Sequence, residues 1–111
     1  MRVWDVPAEE LCRVHLLGEH RELHAVWVIL TQNKRGYRNH PETKRWEGKL
    51  AALYIRHGEL AFEMGRRGYN HASDLDEALA TGAAVQTELV DSLDRQRQML
   101  RAKPCDCGKS N

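Results

Sequence analysis

The run His15-Leu16-Leu17-Gly18-Glu19-His20-Arg21-Glu22-Leu23-His24 concentrates titratable side chains near the start of the chain. On a helix, His15, Glu19 and Glu22 stand at i, i+4 and i+7 and share one face. Two carboxylates beside an imidazole can pass protons near neutral pH. The same pattern also describes a solvated polar stripe with no chemistry. His20 and His24 repeat at i, i+4, a spacing used by zinc-binding helices. The metalloprotease form of that motif needs Glu directly after the first His, whereas Arg21-Glu22-Leu23 intervenes here. No third and fourth ligand follow at a familiar spacing, so the sequence assigns no metal and no cofactor.

Other chemistry-bearing motifs are absent or imperfect. His57-Gly58-Glu59 with Pro104-Cys105-Asp106-Cys107 approaches a zinc deaminase signature, but that motif separates its two Cys by two residues. Here one residue separates them, and no strands are expected to carry them. Cys12 lies between Leu11 and Val14 and reads as core. There is no Gly-rich phosphate loop and no Gly-x-Ser-x-Gly elbow.

The elements that must position these residues read as helices throughout. Pro7, followed by Glu9 and Glu10, suits a helix start. Leu11, Leu16, Leu23, Val26, Trp27 and Leu30 then recur at helical spacing. This predicts a first helix over Pro7 to Gln32, bent near Gly18. Lys34 to His40 is a loop. Pro41, capped by Asn39 or His40, opens a second helix that runs to Arg67 and stops at Gly68. Gly58 inside it costs about 1 kcal/mol relative to Ala and is expected to allow close helix packing. Ser73 or Asp74 caps a third helix to about Ala102, with Gly82 an interruption and Pro104 the end. No alternating strand pattern is present. The expected fold is all-α, a compact three-helix bundle forming one domain over residues 1–103, followed by a polar Cys-containing tail over 104–111.

The chain's 111 residues suffice for one modest core. No apolar run approaches the ~20 residues that cross a bilayer, and no apolar segment of a signal peptide opens the chain. The three Cys do not form a disulfide framework, and a cytoplasmic protein is expected. Net charge is +1, but it is segregated. Six basic and two acidic residues lie between Lys34 and Lys49; five basic residues and one acidic follow from Arg95; six acidic residues and no basic ones lie between Ser73 and Asp94. Solvated helix faces can carry such blocks. The functional reading places Lys44 and Arg45 of the first block and Arg97 and Arg101 of the last on a phosphate-facing surface, with the acidic block turned away.

Three segments together resemble the pyrimidine-dimer DNA glycosylase family, which includes the dimer-specific endonuclease V of phage and algal viruses. They are Met1-Arg2-Val3-Trp4, the His15 to Leu23 run, and Lys49-Leu50 through Arg66-Arg67-Gly68-Tyr69-Asn70. The resemblance covers about residues 1–72 and is most specific at His15 and Arg21-Glu22-Leu23, at a fixed distance from the start. It implies a compact helical fold and a glycosylase with abasic-site lyase activity. The α-amine of the first residue, here Met1, attacks the sugar, and a helix-borne glutamate, here Glu22, assists. Arg21 and His15 match flanking site residues, and Arg2 matches a DNA-contacting arginine. The implied partner is double-stranded DNA with a lesion or abasic site, bound by a monomer, with no cofactor. An α-amine has an ordinary pKa of about 7.7–8, so much of it is nucleophilic near neutrality. The sequence departs from the viral enzymes in retaining Met at the first position, in Ala25 where they carry a basic residue, and in lacking their aromatic tail. Two other readings stay open: the same lyase chemistry on a different lesion or modified base, and a non-catalytic nucleic-acid-binding bundle.

Overall fold

A computed structural model describes residues 2–70 and 73–104. Among these the elements are helical: a 3₁₀ turn Ala8–Glu10, then α1 (Arg13–Thr31), α2 (Pro41–Lys44), α3 (Leu50–Arg66), a second 3₁₀ turn Glu77–Leu79 and α4 (Leu93–Arg101). The radius of gyration, 13.7 Å, matches the value of about 13 Å expected of one folded unit this long. No helix of the described residues is long and apolar enough to cross a membrane.

Two antiparallel helices, α1 and α3, make the body. Leu16, Leu23, Val26 and Trp27 of α1 meet Ala52, Leu53, Leu60 and Met64 of α3, with Val3, Trp4, Val6, Trp46 and Leu100 closing the core around them. Most of these were legible as apolar periodicity. The boundaries differ from expectation in ways that have local causes. The first helix starts at Arg13 rather than Pro7, because Leu11 is extended after the 3₁₀ turn. It is continuous through Gly18 and ends where Asn33 takes a left-handed φ of 52° and the Lys34 amide reaches back to the Ile29 carbonyl. The second helix is broken in two. His40 caps the short α2 by accepting from the Glu42 amide through Nδ1, and Gly48, at φ 72°, turns the chain before α3 begins. Gly68, at φ 84°, ends α3 as its type and position suggested.

The long third helix is the main correction. Only Leu93–Arg101 is α-helical, capped by the Ser92 side chain on the Arg95 amide; the rest holds just the 3₁₀ turn Glu77–Leu79. The stretch before it serves α3 instead. A helix leaves its first amides without partners, and the residue preceding α3, Lys49, offers no side-chain cap. The Ala51 and Ala52 amides donate to the Thr81 and Ala83 carbonyls, and Ala83 donates to the Gly48 carbonyl. Gly82 makes this approach possible: its φ is 82°, and a Cβ there would collide with the Gly48 carbonyl. The acidic block is thereby folded onto the basic one rather than turned away. Glu88 pairs with Lys49 at 3.2 Å and Asp91 with Arg2 at 3.0 Å. Gly58 is exposed, and nothing lies within 4 Å of where its Cβ would sit, so it does not serve close helix packing.

Candidate active site

The N-terminal segment is held by buried polar side chains from three separate elements. Arg45, 4% exposed in its side chain, donates through Nη2 to the Val3 carbonyl at 2.8 Å and through Nη1 to Asp5 Oδ1 at 3.0 Å, while its Nε donates to Glu42 Oε1 at 2.7 Å. Gln96 of α4, fully buried, accepts from the Asp5 amide at 2.7 Å and donates to Asp5 Oδ2 at 3.0 Å. From α1, the Glu19 carboxylate takes the Trp4 amide. These contacts fix Val3, Trp4 and Asp5 in place, with Trp4 beside Glu19 and His15 of α1. Met1 lies outside the described residues, as do Cys105 and Cys107.

The three polar residues that share a face in the sequence have different environments. Glu19 is inside, gripped by Arg56 of α3 at 2.6 and 3.0 Å. Burial pushes its carboxyl up, to about 7, against the opposing pull of Arg56 and the Trp4 amide. His15 stands edge-on to Trp4 with its Nδ1 3.1 Å from Cys12 Sγ; burial, and then the charge of Lys103, hold it below its ordinary pKa. Glu22, one turn beyond Glu19, is half-buried and makes no hydrogen bond or ion pair with any described residue. It lines an open depression of about 740 Å³ with His24, Ala25, Val28, Ile29, Lys34, Gly36 and Tyr37. An unpaired carboxylate beside apolar walls and a lysine can accept a proton or face a developing positive charge.

The predicted cations divide likewise. Arg21, Lys44 and Arg101 are exposed, and none is ion-paired among the described residues. Arg45 is buried in the network just described, so its charge faces protein. Arg97 is clamped to Glu10 at 3.0 and 3.2 Å. Arg2 stacks 4.5 Å above the Trp4 ring and is paired with Asp91. Exposed Lys34 and Arg35 flank Gly36 and Tyr37 on the loop that overhangs the depression; Tyr37 is 69% exposed at a φ of 56°. The sequence reading did not single out this tyrosine, although an aromatic within a basic loop is a signal for stacking on nucleobases. It also missed Gln96, Asp5 and Arg56, whose roles depend on partners distant in sequence, and it did not bring His57 to His20 and His24.

The sequence model of one protein family, described as pyrimidine dimer DNA glycosylase, matches residues 1–77. No curated protein and no solved structure matches the chain.

Proposed function

From the premise that this chain belongs to the pyrimidine dimer DNA glycosylase family, we propose that it is a bifunctional DNA glycosylase and abasic-site lyase that acts as a monomer on double-stranded DNA, with Met1 as nucleophile and Glu22 as the assisting carboxylate. The neutral α-amine of Met1 attacks C1′ of the damaged nucleotide. The glycosidic C–N bond breaks, and the base leaves with the bonding pair and takes a proton. The resulting ammonium passes one proton to the ring oxygen O4′ as the C1′–O4′ bond breaks, giving an iminium between the Met1 nitrogen and C1′ and a free 4′ hydroxyl. That cation acidifies C2′; a base removes the C2′ proton, and β-elimination expels the 3′ phosphate. Water then hydrolyses the imine and frees the amine. Glu22 opposes the iminium charge and carries the proton from C2′.

The observation that carries this reading is that Glu22, half-buried, has no hydrogen-bond or ion-pair partner among the described residues. Glu19, Glu42 and Glu63 are each tied to an arginine, whereas Glu22 is left open to an incoming group. Its position supports the same reading. Trp4 is held at Glu19, and Glu22 lies ~4.5 Å further along the helix axis. Three residues of chain, from Trp4 back to Met1, reach about 10 Å. Lys34, Arg35, Arg21 and Lys44, none ion-paired among the described residues, supply charge for the phosphates, and Tyr37 a ring for an unstacked base. A second reading, the same chemistry on another lesion, is favoured by Ala25, which leaves that wall of the depression apolar and uncharged.

Borohydride reduction in the presence of abasic-site DNA tests the nucleophile. Reduction should fix a covalent adduct, and peptide mapping should place it on residue 1. An adduct on a lysine side chain, or none, overturns the assignment. A panel of duplexes carrying different lesions then separates the dimer reading from the second one.

A further inference from the structure

Between α1 and α3, next to the Glu19–Arg56 pair in the sequence of both helices, three imidazoles converge. His20 and His24 stand a turn apart on α1, and His57 reaches toward them from α3. His57 Nε2 is 3.2 Å from His20 Nε2 and 3.2 Å from His24 Nε2. The three ligand atoms lie within 4.8 Å of one another. The same His57 nitrogen is 3.2 Å from the Ser73 carbonyl oxygen. His57 is 5% exposed, and His20 and His24 are half-buried, so the cluster sits in the seam between the helices.

Proton bookkeeping shows why hydrogen bonding alone does not account for this arrangement. A ring nitrogen carries either one proton or one lone pair. If His57 Nε2 bears a proton, it serves one of its three close neighbours and leaves two facing it badly. If it bears the lone pair, that pair faces the Ser73 carbonyl oxygen. Protonating the rings places like charges side by side in a half-buried seam. A cation at the centre resolves all of these contacts, because each neutral ring then turns a lone pair toward it. The dimensions agree. Zinc–nitrogen bonds of about 2.0–2.1 Å at tetrahedral angles separate ligand atoms by about 3.3–3.4 Å. The two short nitrogen–nitrogen edges and the Ser73 oxygen edge fall beside that value; the remaining His20–His24 edge, within 4.8 Å, closes as the two half-buried rings turn onto the ion. An all-imidazole set selects zinc-class transition ions over magnesium or calcium, which take oxygen ligands.

We propose that His20, His24 and His57 bind one zinc-class divalent cation through their Nε2 atoms, joining α1 to α3. The site does not depend on the lyase reading. It has a consequence for it, however, because His24 also lines the depression that holds Glu22: the ion fixes the part of α1 from which that carboxylate projects.

The test uses tag-free full-length protein, since a polyhistidine tag would mimic the site. Cobalt(II) titration should give a visible ligand-field spectrum that saturates at one equivalent per chain, and one equivalent of zinc should displace it. A Cys105→Ser/Cys107→Ser variant should bind identically. His20→Gln and His24→Gln, both at half-buried positions, should lose the one-equivalent spectrum while keeping wild-type circular dichroism. Zinc should raise the Tm of the wild type and not of His24→Gln. X-ray absorption on the zinc-loaded wild type keeps the proposal exposed even if the variants fold poorly: the first shell should contain three imidazole nitrogens and no sulfur. Sulfur ligation, loss of binding with the Cys variant, retention of binding in both Gln variants, or no saturable binding at micromolar metal each overturn it.

Discussion

Five glutamates share the interior and its edges, and their partners decide their roles. Glu19 and Glu42 are enclosed with Arg56 and Arg45, Glu63 pairs with Arg66 and Arg67, and Glu10 with Arg97. Glu22 alone of the five has no partner among the described residues. Glu22→Gln should therefore leave stability within about 0.5 kcal/mol of wild type, as an isolated near-surface change does. Single-turnover cleavage should fall by about 10²-fold or more, the scale of general acid–base and electrostatic terms. DNA affinity should hold or rise, since a negative charge near phosphates is gone. Cleavage at the wild-type rate would remove Glu22 from the mechanism. Glu19→Gln at pH 8 should do the reverse: removing one partner of a buried ion pair typically costs about 3–5 kcal/mol, read as a lower denaturant midpoint. The spacing of His15, Glu19 and Glu22 made them one face in the sequence. It could not separate them, because Arg56 arrives from 37 residues away. His57 was hidden in the same manner: a helix pair, not a spacing, delivers it to His20 and His24.

At the scale of elements, apolar period fixed the two long helices, and chain ends and turns fixed the rest. α1 and α3 were visible because their stripes face one another over most of their length. The third helix was misread because residues 74–92 carry helix-forming side chains yet serve as a backbone cap for α3, and that demand does not appear in composition. Glycines make the difference measurable. Gly18 and Gly58 are helical with open space at their Cβ positions. Replacing either with Ala should stabilise the protein by about 0.5–1 kcal/mol, raising Tm. Gly82→Ala should destabilise it markedly, since both its positive φ and its contact with the Gly48 carbonyl exclude a side chain. Equal effects at Gly58 and Gly82 would contradict the cap. Gln96 supplies a further element-level link: Gln96→Ala removes the clamp on Asp5 and should impair adduct formation at residue 1 more than DNA binding.

Over the whole molecule, the distribution of charge sets two pH and salt responses. The acidic segment pairs with Arg2 and Lys49, so on the proposed DNA reading the cations left for phosphates are Arg21, Lys34, Arg35, Lys44 and Arg101, none ion-paired among the described residues. Each phosphate contact contributes about 0.9 to the slope of log K against log salt. Lys44→Ala should flatten that slope, whereas Arg97→Ala, whose charge is already matched by Glu10, should change it little.

The pH response follows from two carboxyls shifted in opposite directions. Hydrogen bonds from Arg66, then Arg67, hold Glu63 below the usual carboxylate range. Its folded pKa is thus below its unfolded value of 4.5, so the stability it gives is present above that value and lost as pH falls through the folded one. Glu19 has the opposite sign. Burial raises it to about 7 from 4.5, so the folded state holds its proton longer than the unfolded chain does. The stability linked to that proton is complete below 4.5 and is lost as pH rises toward 7. Together they place maximum stability near pH 4.5, with a decline in both directions. Denaturant midpoints measured from pH 3 to 8 should show this. In Glu19→Gln, which cannot titrate, the decline between pH 4.5 and 7 should disappear while the acid limb remains. In Glu63→Gln the acid limb should soften and the upper decline persist. A wild-type profile that rises steadily from pH 4.5 to 7 would mean that Arg56 holds Glu19 ionised throughout, and that its burial is fully offset by the ion pair.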